Sequence, residues 1–105
     1  MIFIATASFP QTSVKNAARI YGEMKKLPAA IRRHGPYFKV ESGQDIKMIA
    51  VYETDSAASQ EVKKFLEKRY EAFEGVAGFS ARVEPWANLP DAVAQLAKTP
   101  AGNSA

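Results

Sequence analysis

The sequence predicts an α+β domain, a four-stranded antiparallel sheet with two helices on one face and a short terminal helix after it. Three observations carry this prediction. Strand-type alternation and helix-type spacing follow one another in the order strand, helix, strand, strand, helix, strand. Two of the strand segments, residues 2–9 and 46–53, are apolar on both faces and therefore belong at the centre of a sheet. The other two, 37–41 and 79–83, each have a wetter face and read as edges.

Along the chain, Pro10 ends the first strand, and Thr12 or Ser13 is placed to cap a helix. Its apolar positions Ala17, Ile20, Tyr21, Met24, Leu27 and Ile31 follow helical spacing, while Lys15, Arg19, Glu23 and Lys26 take the wet side. Pro28 removes an amide donor and predicts a kink or restart near Leu27. Gly22 costs about 1 kcal/mol relative to alanine within a helix. The helix is expected to close with His34 in its last turn, Gly35 in the left-handed position after it, and Pro36 forbidding continuation.

In the second strand Phe38 and Val40 alternate with Tyr37, Lys39 and Glu41, and the turn Ser42-Gly43-Gln44-Asp45 joins it to the third as a hairpin. Asp55 is expected to cap a helix running to Phe73, with Ala58, Val62, Phe65, Leu66, Tyr70 and Phe73 inward, and Gly75 is expected to end it. The fourth strand turns Phe79, Ala81 and Val83 to one face. Beyond Pro85 and Trp86, Asn88 and Pro90 start the terminal helix, whose apolar stripe is Leu89, Val93 and Leu96. Residues 1–98 read as one domain and 99–105 as a small, polar tail expected to fray.

Composition bounds the class without naming an activity. At 105 residues, with 47% hydrophobic and 24% charged residues, the chain has the profile of one globular domain. The formal net charge of +3 is spread among alternating acidic and basic residues, which gives no single-sign surface for nucleic acid. There is no cysteine, so neither a disulfide framework nor a thiolate site exists. The amino terminus has no basic leader and cleavage site, and no apolar run approaches the roughly 20 residues that span a bilayer. A soluble, cytoplasmic protein without membrane attachment is expected.

The order β-α-β-β-α-β with right-handed crossovers predicts the ferredoxin-like arrangement, strand order 4-1-3-2. Two helices cover only one face of such a sheet. Placing Ile2, Ile4, Phe38, Val40, Met48, Ala50, Phe79, Ala81 and Val83 beneath them leaves Phe3, Ala5, Ala7, Ile49 and Val51 at the centre of the other face. Tyr37, Lys39, Glu41, Arg82 and Glu84 form a rim around that patch. An apolar centre within a charged rim is the anatomy of an interface, so a sheet-to-sheet homodimer is expected, with Phe3, Ala5, Ile49 and Val51 as its core.

In element order and face pattern, residues 2 to about 86 resemble the dimeric α/β-barrel superfamily, in which two ferredoxin-like subunits pack sheet against sheet. Its members include cofactor-free monooxygenases, isomerases, haem-degrading enzymes and ligand-sensing domains. The resemblance implies a small-molecule site between helices and sheet, and cofactor-independent oxygenation or isomerisation if the chain is an enzyme. No cofactor is expected. Haem degradation is not expected either, because the second helix contains no histidine.

His34 is the only histidine and the candidate general acid or base. Its other reading is a basic residue stabilising a helix end. Tyr21, Met24, Tyr37 and Tyr52 are candidate pocket residues, and Arg32 and Arg33 are candidates for holding an anionic group. Tyr21, Met24, Met48, Tyr52 and Phe65 also suit plain core. No metal site is expected from a single histidine without a partner set. Ile2-Phe3-Ile4 mimics the start of an RNA-recognition signature, but Ile49 and Val51 occupy the places where stacking aromatics would be needed. The expected function is binding or conversion of a small, partly apolar molecule, neutral or anionic. The alternative is a non-catalytic sensing or protein-interaction module, docking through Leu89, Val93 and Leu96.

Overall fold

A computed structural model describes residues 1–55 and 59–98 of the chain. Its two central strands are β1 (Ile2–Phe9) and the third strand in chain order, β3 (Ile46–Thr54), which pair antiparallel with Ala5 opposite Ala50. The edge strands are β2 (Ile31–Lys39) against β3 and β4 (Ser80–Trp86) against β1. The sheet order β2-β3-β1-β4 is the ferredoxin-like order expected from the succession of elements. Two helices, α1 (Val14–Glu23) and α2 (Ser59–Glu71), cover one face, and α3 (Leu89–Lys98) follows β4.

Two clusters form the core on the covered face. Leu66 of α2 packs in one with Phe3, Ala5, Ala7, Ile31, Met48, Ala50, Tyr52 and Val83. Ala17 of α1 joins Phe9, Ile46, Phe73 and Val76 in the other. Ala5 and Ala50, both fully buried, let the helical layer approach the sheet centre, where a larger side chain would hold it away.

Two local expectations hold, and a third is corrected. Gly43 has φ +73° in the β2–β3 turn, where Gln44 N–H donates to Glu41 O at 3.1 Å. Asn88 caps α3, its Oδ1 accepting from Asp91 N–H at 3.0 Å. Ser13 stands at the start of α1, but its hydroxyl donates across the fold to Ala77 O at 2.7 Å instead of capping the helix.

Other expectations are corrected. The first helix does not reach His34. It ends at Glu23, Met24 is extended, and residues 31–34 lie in β2. Gly22 weakens the last helical turn and Pro28 denies the next turn a donor, so the helix stops before the proline rather than bending through it. His34 is therefore a strand residue, paired in register with Val51. Gly35 does adopt positive φ, +94°, but within a bulge between His34 and Tyr37. Asp55 is four residues before α2, and its carboxylate pairs with Arg32. Ala58 and the tail 99–105 lie outside the described residues.

The face of β1 is the reverse of the expected one. Phe3, Ala5, Ala7 and Phe9 are buried beneath the helices, while Ile2 and Ile4 share the open face with Thr6 and Ser8. A one-residue choice of face moves every side chain of a strand to the other side. Phe3, Ala5 and Ala7 are thereby lost from the patch on which the sheet-to-sheet assembly was built, whereas Ile49 and Val51 do lie on the open face.

The barrel expectation falls as well. The sheet is open, not closed into a barrel, and the resemblance to dimeric α/β-barrel proteins stops at the ferredoxin-like topology. Both outer strands carry a proline, Pro36 and Pro85, which has no amide to donate to a further strand. Nothing in the fold supports the homodimer that the barrel required. No helix among the described residues is long and apolar enough to cross a membrane.

The reassigned face predicts unequal costs for neighbouring truncations. Phe3→Ala should lose about 3 to 5 kcal/mol in urea denaturation, and Ile4→Ala distinctly less. Equal losses would return Ile4 to the core.

Candidate ligand cavity

Between α1 and the sheet lies a cavity of about 470 Å³, within the range of small-molecule sites. The gap follows from the sequence of α1, in which Ala17 is the only buried residue and Ala18 presents nothing larger than a methyl group. Val14, Ala18 and Tyr21 form the helical wall. Met48 and Tyr52 of β3 form the floor, and Phe9, Phe73 and Phe79 close one end. Phe73 and Phe79 stack with centroids 4.5 Å apart, and Phe9 stacks on Phe79 at 5.7 Å. Phe38 and Val40 reach the same space because the bulge at Gly35 resets the alternation of β2.

Three tyrosines, Tyr21, Tyr52 and Tyr70, bring hydroxyls to this lining, and two of them form a pair. Tyr52 and Tyr70 hydroxyls meet at 2.6 Å, Tyr52 being 2% exposed and Tyr70 half-buried. Burial pushes the Tyr70 phenol well above the ordinary tyrosine range, and the adjacent Tyr52 adds to the shift. Tyr70 is therefore a neutral donor at physiological pH and not a proton acceptor. Among the described residues, the lining contains no carboxylate, histidine or lysine.

Of the expected pocket residues, Tyr21 and Tyr52 line the cavity, and Met24 packs against the adjoining Phe9–Ala17 cluster. Arg33 is not among the residues that line the cavity. It pairs in register with Tyr52, and its guanidinium lies 5.7 Å from the centroid of the Tyr21 ring. Arg32, His34 and Tyr37 project from the open face, away from the cavity. Arg32 reaches Asp55 at 3.3 Å and Glu53 at 3.6 Å, which holds the Asp55 carboxyl below its usual range. His34 Nε2 lies 3.3 Å from Glu53 Oε1 in an exposed setting. The expected grouping of His34 with Tyr21 and Tyr52 is thus not formed.

Tyr70 was expected only as a core position. The sequence signal for its role is that it falls on the inward stripe of the second helix together with a hydroxyl that must be satisfied when buried. A second, shallower depression of about 630 Å³ lies on the open sheet face, with Lys39, Lys47 and Arg82 around it. It is the larger of the two but is open to water, and it lacks the enclosing apolar walls of a small-molecule site. Compared with known proteins, the chain matches no family model and no curated protein.

The phenol pair predicts an alkaline loss of stability. Tyr70 stays protonated in the fold but ionises near pH 10 once unfolded, so unfolding releases a proton and stability falls as pH rises above about 10. The slope from this group is at most about 1.4 kcal/mol per pH unit. Denaturation at alkaline pH should show the decline in the parent protein and a smaller one in Tyr70→Phe; equal declines would mean that Tyr70 ionises freely in the fold.

Proposed function

We propose that the protein binds a small, largely apolar molecule in the cavity beneath α1. The observation that carries this is the cavity lining itself, aromatic and aliphatic throughout except for the hydroxyls of Tyr21, Tyr52 and Tyr70. A pocket of that composition favours an apolar body by excluding water from it, while a few polar groups fix its orientation.

Binding without conversion is the better-supported form of this reading. Isomerisation needs a proton acceptor at the substrate, and the groups lining the cavity are tyrosine phenols, a thioether and hydrocarbon. His34 lies on the other face of the sheet, so a role for it in cofactor-independent chemistry finds no support from the cavity geometry. A second reading, a protein-interaction module, draws on α3, whose Leu89, Val93 and Leu96 are 77%, 55% and 71% exposed.

Filling the cavity separates the two readings. Ala18 lies on the exposed side of α1 at the cavity wall, so Ala18→Trp should block the space without unfolding the domain. Nile red titrated into the parent protein should bind with enhanced fluorescence, and the variant should lose at least about tenfold in affinity. Unchanged affinity would place the dye on the exposed stripe of α3 or elsewhere and remove the cavity reading.

A further inference from the structure

The register of the sheet gathers on its open face charges that lie far apart along the chain. Lys39 stands opposite Lys47, Lys47 opposite Ser8, and Ser8 opposite Ser80, so these four residues form one row across all four strands. The next row, two residues along each strand, is Tyr37, Ile49, Thr6 and Arg82. Both rows line the shallow depression of about 630 Å³, and among the described residues its lining holds Lys39, Lys47 and Arg82 but no carboxylate.

Two lysines directly opposite one another in an antiparallel pair repel, with their Cβ atoms only about 5 Å apart. Lys39 is answered by Glu41 at 3.1 Å and Arg82 by Glu84 at a looser 3.9 Å, both in exposed settings. Pairs of that kind are weak and yield to a competing anion. Among the described residues Lys47 has no ion pair at all. Beside it the Ser8 and Ser80 hydroxyls meet at 3.2 Å. One donates to the other, and the acceptor's own proton remains for a ligand.

We propose that this depression binds a phosphate monoester carrying a planar ring, with the phosphate held by Lys47, Lys39 and the Ser8–Ser80 hydroxyls and the ring laid over Ile49 beside Tyr37. The site is on the opposite face of the sheet from the apolar cavity and stands independently of it. A phosphate monoester brings nearly two negative charges and three acceptor oxygens, which suits a place with more than one cation and with hydroxyl donors between them. Neighbouring rows of side chains are about 7 Å apart along a strand, within the reach from a phosphate to the ring that bears it. The openness that disfavours an apolar guest here leaves a charged one part of its hydration.

The test uses phenyl phosphate, phenyl sulfate and inorganic phosphate, titrated calorimetrically into the parent protein at low salt and about pH 8, above the second phosphate pKa near 6. Phenyl phosphate should bind about tenfold more tightly than the singly charged sulfate ester, and more tightly than inorganic phosphate, which lacks the ring. Lys47→Gln relieves the repulsion with Lys39 and so should not weaken the fold, yet it should lower phenyl phosphate affinity about tenfold. Arg33→Gln removes the same charge from the other face and should leave that affinity unchanged. Equal losses in the two variants would mean attraction to net charge alone and overturn the site. Equal binding of the two esters, or inorganic phosphate binding as tightly as phenyl phosphate, overturns the ligand class. An oligothymidylate that binds more tightly than phenyl phosphate and is weakened by Lys47→Gln overturns it in favour of single-stranded nucleic acid. Failure of phenyl phosphate to bind overturns the proposal and leaves the apolar cavity reading untouched.

Discussion

The hydrogen bond between Tyr52 and Tyr70 is the constraint on which both core and cavity depend. A buried phenol without a partner is costly, and each of these hydroxyls supplies the other's. Their contact fixes the distance from α2 to β3 at one place. Leu66, one turn before Tyr70, then sits fully buried against the strand centre, and Phe73, beyond it, meets Phe79. With α2 seated in this way, the short side chains of α1 cannot fill the remaining space, and a cavity is left instead of a continuous core.

Alternation along β2 distributes charge between two unlike surfaces. Arg32 and His34 go to the open face, where Glu53 and Asp55 answer them, and Arg33 goes to the other face, over the Tyr21 ring, where no carboxylate does among the described residues. The first three are solvent-exposed pairs that contribute little to stability. Arg33 differs because its neighbours are Tyr21 and Tyr52. Neighbouring basic residues of one strand thus have separate environments.

The fold was legible because strand order follows from element order, and because two segments apolar on both faces must be central. The side of β1 was not, since Ile2 and Ile4 are as hydrophobic as Phe3 and Ala5. The distinguishing signal was Thr6 and Ser8, the polar members of the same alternation as Ile2 and Ile4. The first half of β2 was hidden for another reason. Arg32-Arg33-His34 followed by Gly-Pro has the composition of a helix end, and only Ile31 among these residues is buried. That error carried into the site: on a helical turn Arg32, Arg33 and His34 would cluster at one end of the molecule, whereas on a strand they alternate. Tyr21 and Tyr52 were legible because both lie on inward-facing positions, where any helix-to-sheet cavity must find its walls.

The slender attachment of α1 gives the domain an uneven resistance to opening. Its ties are Ala17 in the smaller core cluster with Ile20 and Met24 packed against it, the Ser13 hydroxyl on Ala77, and the Arg69 guanidinium on the carbonyl of Lys25 just beyond it. The central strands, by contrast, are hydrogen-bonded on both sides and covered by the larger cluster. Amide hydrogens of α1 then exchange through local opening at a lower free energy than those of β1 and β3. The part of the fold that yields first is the wall of the cavity, so admitting a guest and loosening the domain draw on the same motion, and an occupied cavity would close both.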